Sequence, residues 1–139
     1  MKADFIITVH EARKPLAVRV KVYDNPVNLR RAIVRYTNKF NTRKKHKSKL
    51  SDFSDVLGIC HRFHMESDPV CAIVRVSEPN LGIGLISHEL THAAVEMWNI
   101  HHKFEDVPLN DTNDEWFCWV LGELVRQTTV KFIEKGIYT

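Results

Sequence analysis

The stretch Ser87-His88-Glu89-Leu90-Thr91-His92 sets two histidines four residues apart with a glutamate between them, inside a segment patterned as a helix. Residues at that spacing lie about 40° apart around an α-helix, so both imidazoles can reach one ion. The glutamate is then placed to take a proton from a water held by that ion. The motif needs a helix over Leu81 to Trp98, and the segment supports one: it has no proline, and Ile86, Leu90, Ala93 and Met97 recur at helical spacing. His88, His92 and Val95 fall about 200° away, on the other side. Only Glu89 and Glu96 are charged in this segment, unlike a fully solvated surface helix. The pattern predicts a helix that buries one face in a core and turns its histidines into a cleft.

Two histidines are too few for a catalytic zinc, which usually takes three protein ligands and keeps a fourth position for water. The H-E-x-x-H-x-x-G-x-x-H arrangement is excluded, because Val95 and Trp98 stand where it needs glycine and the third histidine. Two candidates remain: Glu115, or one of the adjacent pair His101 and His102. Glu115 precedes Trp116-Phe117-Cys118-Trp119-Val120-Leu121, the start of a second apolar helix running to about Glu134. The intervening chain is long enough for a reversal that packs the two helices antiparallel, and Gly122, on the same face as Glu115, predicts close helix approach. A competing role for Glu115 is structural: Thr112-x-x-Glu115 is also a capping box.

With His88-Glu89-Leu90-Thr91-His92-Ala93-Ala94 followed by Asn113-Asp114-Glu115, the last part of the chain resembles the gluzincin branch of zincin metallopeptidases. More closely, it resembles the small gluzincin-like proteins encoded by phages and prophages. The resemblance implies one Zn2+ per chain, held by His88, His92 and Glu115, with Glu89 as general base and a peptide or protein as substrate. It also implies a zincin-like α+β fold, a small antiparallel or mixed sheet with the H-E-x-x-H helix and a following ligand helix. Larger gluzincins often place an Asp four residues after the ligand Glu; this chain has Trp119 there. In many zincins an edge strand pairs with the extended substrate, a role open here to Val70–Val76 or a neighbouring strand. Two alternatives stay open. One resembles the SprT/Spartan group of DNA-associated proteases, with His101 or His102 completing the site. The other is a non-catalytic binding module.

The rest of the sequence suits a single domain over 1–139. Phe5–Val9 and Leu16–Val22 read as strands; in the second, Leu16, Val18, Val20 and Val22 alternate with Ala17, Arg19 and Lys21. A helix is predicted from Pro26 to Phe40, with Leu29, Ile33, Tyr36 and Phe40 as its apolar stripe. Val56–Phe63 and Val70–Val76 read as a hairpin around Ser67-Asp68-Pro69. That hairpin holds Cys60, His61, His64 and Cys71, whose spacing matches no common zinc pattern, so the cysteines read as small core hydrophobes. No run reaches 18 apolar residues, the N-terminus does not read as a signal peptide, and three cysteines make no disulfide framework. The expected setting is the cytoplasm, that of the host if the protein is phage-encoded, with no membrane span.

Charge is uneven. The net value is +3, yet Arg30 to Lys49 holds nine Lys or Arg and no acid, so the remainder is net acidic. The run is densest at Arg43-Lys44-Lys45-His46-Lys47-Ser48-Lys49. Such a segment is either a solvated loop or a patch that contacts phosphates or an acidic partner, which makes nucleic acid a candidate partner at 30–49.

Overall fold

The computed structural model describes residues 1–10, 14–40, 47–63 and 67–138. Alternation of apolar residues produces four strands: β1 (Ala3–Val9), β2 (Leu16–Tyr23), β3 (Gly58–Arg62) and β4 (Val70–Ser77). They form one sheet in the order β1-β2-β4-β3. β1 and β3 pair antiparallel with β2 and β4, while β2 and β4 run parallel at the centre. A parallel pair needs a long crossover, and helix α1 (Pro26–Phe40) lies in it. Helices α2 (Ile83–His101) and α3 (Asp114–Glu134) complete the chain. The architecture is α+β, with a small mixed sheet and three α-helices.

The period-2 pleat gives the sheet two unlike faces. Phe5, Val20, Val74 and Cys60 form one cross-strand row, and the face they belong to is packed against α2 and α3. Ile7, Val18, Val20, Val74 and Val76 are at most 2% exposed there, and burying each such side chain contributes about 2 kcal/mol. The next row, Asp4, Lys21, Arg75 and Ile59, faces the other way, towards α1. α1 buries only Leu29, Ala32 and Ile33. The expected stripe therefore stops short: Tyr36 is half-buried, and Phe40 is 63% exposed and packs against Tyr36 with ring centres 4.6 Å apart and planes at 43°, a turn beyond the buried cluster.

α2 and α3 pack antiparallel, since Trp98 near the end of α2 meets Trp116 and Phe117 at the start of α3. Between them the chain turns sharply. Lys103 and Phe104 both adopt positive φ, 54° and 59°, a region that residues with a side chain seldom occupy. The Phe104 N–H donates to the Asn99 carbonyl, and the Trp98 indole donates to the Val107 carbonyl at 3.0 Å, tying the connection down. Gly122 does not mediate close approach: it is exposed, with nothing within 4 Å of an added Cβ. It lies about 200° round α3 from Val120, so it faces solvent.

Among the described residues no helix is long and apolar enough to cross a membrane. His64, and Arg43 to His46 of the basic run, lie outside the described residues.

Candidate metal centre and active site

His88 and His92 stand side by side on α2, with ring centroids 5.0 Å apart and planes at 81°. They do not enter a cleft. The His88 side chain is 67% exposed and His92 is exposed as well. The cause is geometric. The pair lies about 150° round the helix from Ile86, Leu90, Ala93 and Met97, and the far face of a helix laid on a sheet points outwards.

Glu89, one position on, lies at the flank of α2 and packs against β3. It is 5% exposed, with Gly58 immediately below it. Its Oε1 is 4.0 Å from His88 Nε2. Burial raises the Glu89 carboxyl above the ordinary glutamate value, with His88 partly opposing it. Burial, His88 and Arg62 at the end of β3 together lower His92. A neutral imidazole is the form that binds a metal.

Sequence reasoning missed Glu96, buried at 8% and two turns beyond Glu89 on the same flank. The seven-residue spacing of the two glutamates was the available signal. Burial, with Glu89 adding, pushes the Cys60 thiol up to about 12; burial and Glu96 push Cys71 to about 12. Both are free thiols at neutral pH, consistent with a packing role.

Glu115 is exposed in the first turn of α3. Its neighbour Trp116 stacks on His101 in the last turn of α2, at 4.3 Å and 18°. Glu115 therefore sits by the far end of α2, and it lies about 160° from the buried stripe Val120, Leu124, Thr128 and Phe132. The fold does not bring it to the histidine pair. The capping box is not formed either: α3 starts after Asn113, and the Thr112 hydroxyl donates to Asn110 Oδ1 instead. His101 and His102 are nine and ten residues beyond His92, about 14 Å along the helix, with His102 against Trp98 at 4.2 Å. Neither can share an ion with His92. Among the described residues no group of three or more His, Cys, Asp or Glu is gathered for one metal. The pair thus fits two positions of a metal's coordination, and the third protein donor is not Glu115, His101 or His102 in this arrangement.

Two surfaces flank the pair. β4 is interior, hydrogen-bonded to β2 and β3, so Val70–Val76 cannot accept another strand; β3, next to α2, is an edge strand with no further strand paired to it among the described residues. Along α2, Val95 and Asn99 continue the line of His88 and His92 and open into a cavity of about 380 Å³ walled by Trp98, Phe104 and Phe117, with Asp106 at its lining. A side chain of a chain lying over the histidines could enter it.

No protein-family model, curated protein or solved structure matches the chain. The gluzincin resemblance rests on the motif residues and their spacing.

Proposed function

We propose that the protein is a zinc-dependent peptidase in which His88 and His92 hold the metal and Glu89 is the general base. The observation that carries this reading is the placement of Glu89: a buried carboxyl, raised in pKa, beside two exposed and adjacent imidazoles. A carboxyl shifted towards neutrality can both accept and return a proton. Bound zinc would supply Lewis acidity for the water and the peptide carbonyl. Glu89 takes the proton of the attacking water and passes it to the leaving amine. The outer edge of β3 offers the main-chain groups that hold an extended substrate next to Glu89.

The test measures zinc content and cleavage of a peptide library by the wild type and by Glu89→Gln. The expected result is equal zinc in both and cleavage by the wild type only. Cleavage that persists in Glu89→Gln overturns the role of Glu89. A folded wild type that takes up no zinc and cuts nothing favours a binding module instead, a reading supported by the lack of a gathered third donor among the described residues.

A further inference from the structure

We propose that the α1 side of the sheet carries a second, independent site: a pocket that binds the phosphate of a nucleotide unit in single-stranded nucleic acid, with Arg75 at its floor. The pocket holds about 430 Å³ and is lined by Lys21, Arg35, Lys39 and Arg75 together with Tyr36 and Phe40. Four cations line it and no acid does. It adjoins a second hollow of about 260 Å³, also lined by Arg35 and extended by Arg31.

Arg75 is the decisive residue. It projects from the middle of β4, is 6% exposed, and among the described residues makes no ion pair. Its Nη1 donates to the Tyr23 hydroxyl at 2.6 Å, and its guanidinium lies 5.2 Å from the Tyr36 ring centre. Among the described residues the buried Nε–H has no acceptor. The Tyr23 hydroxyl and the Tyr36 ring carry no full negative charge, so an anion arriving in the pocket would offset the remaining cost of burying this cation. The closest acid in the row, Asp4, is already bound by both Nε and Nη2 of Arg19 at 2.8 Å. Burial and the charges of Arg19 and Arg75 lower Lys21, despite Asp4 at 3.8 Å, as expected where positive charge is in excess.

Phosphate is the anion that suits this donor set, because a guanidinium offers forked N–H groups and the lysines add point charges. The nucleotide assignment comes from the rings. Tyr36 and Phe40 stand beside the cations, and Phe40 is 63% exposed with Lys39 Nζ 5.5 Å from its ring centre, so a base can stack there once that flexible side chain swings to a phosphate. The polymer assignment comes from continuity: the two hollows adjoin through Tyr23 and Arg35 and together set Arg31, Arg35 and Lys39 along α1, room for more than one phosphate.

The test is fluorescence anisotropy of a labelled 12-nucleotide oligothymidylate with the full chain, over a salt series, with unlabelled competitors. With about four phosphate contacts, affinity should fall about 50-fold between 50 and 200 mM salt. Lys21→Gln and Arg35→Gln should each weaken binding several-fold and flatten the salt slope by about 0.7. Phe40→Ala should weaken it about tenfold without changing that slope. Arg75→Met, matched in length, should abolish most binding; Lys21→Gln and Arg35→Gln keep the test decisive if that variant fails to fold. Glu89→Gln and zinc chelation should leave binding unchanged, so this site stands or falls apart from the peptidase reading. Undetectable oligonucleotide binding, or binding indifferent to all four pocket variants, overturns the proposal. Competition by thymidine monophosphate or inorganic phosphate as strong as by the oligomer overturns the polymer assignment, and equal affinity for anionic lipid vesicles overturns the nucleic-acid one.

Discussion

Gly58 of β3 lies directly beneath Glu89 of α2: a Cβ on Gly58 would stand 3.3 Å from Glu89 Cγ and 3.1 Å from Leu85 Cδ1. The base of the proposed reaction is therefore positioned by a glycine on the edge strand. Gly58→Ala is expected to be close to neutral in stability, since small shifts of three side chains, Leu85, Glu89 and Val76, oppose the lower entropy of the unfolded chain. Gly58→Val should cost about 1–3 kcal/mol through overpacking, read as a lower denaturation midpoint. It should also reduce cleavage more than zinc uptake, because it displaces Glu89 and not the histidines.

The location of Glu115 makes a direct prediction about metal. His88→Ala and His92→Ala should each remove zinc from the purified protein, while Glu115→Ala should keep its zinc content and affinity within about twofold. Loss of zinc in Glu115→Ala comparable to that in His92→Ala would show that α3 repositions to supply a ligand. That result would restore the complete gluzincin set.

His61 gives the folded state a pH dependence. Its ring lies 4.0 Å from Tyr36, and burial, with Arg75 adding, lowers it to about 4 from 6.5. Above the unfolded value the ring is neutral in both states and contributes no pH dependence. As pH falls from 6.5 towards 4, the unfolded chain takes up a proton that the folded chain refuses, so stability is lost across that window. The ring is only half-buried, and solvent screening holds the loss to about 1–2 kcal/mol. His61→Phe should remove that part of the difference in urea midpoint between pH 7.5 and pH 4.5; an unchanged difference would disprove the assignment.

Trp98 joins α2, α3 and the connection between them, through Trp116, Phe117, His102 and the Val107 carbonyl. Trp98→Ala should cost about 3–5 kcal/mol. Trp98→Phe should cost less but lose the hydrogen bond to Val107, about 1 kcal/mol, and loosen 103–113. Faster limited proteolysis within 103–113 in Trp98→Phe, with little change in melting temperature, is the expected signature.

The two proposed sites use opposite faces of one sheet, and this follows from β2. Val18, Val20 and Val22 build the core under α2 and α3, while Arg19 and Lys21 alternate to the α1 side, where α1 buries only three residues. A helix that short of apolar contacts leaves part of its sheet face open, and the open part is cationic.

The sequence by itself determined the local structure. The alternation in β2 and the helical spacing of Ile86, Leu90, Ala93 and Met97 each have a period that only one kind of element satisfies, and Pro26 marks the first turn of α1, so strands and helices stood close to where they were expected. The same locality fixed His88 and His92 as neighbours, because residues four apart on a helix meet whatever surrounds them, and it set Glu89 on the adjoining flank. Relations between elements were decided only by the tertiary structure. Glu115 and the histidines were joined by spacing along the chain, but the 12-residue connection delivers α3 so that its first turn meets the last turn of α2, and Glu115 faces away. Gly122 failed for the same reason, since its position around α3 depends on which stripe the sheet buries. Arg75 could not be recognised at all: in sequence it is one cation within an apolar strand, and only the parallel pairing of β2 with β4 sets it beside Lys21, beneath Tyr36 and Arg35. Packing energy selects that arrangement from contacts far apart in the chain, and those carry no periodic signal.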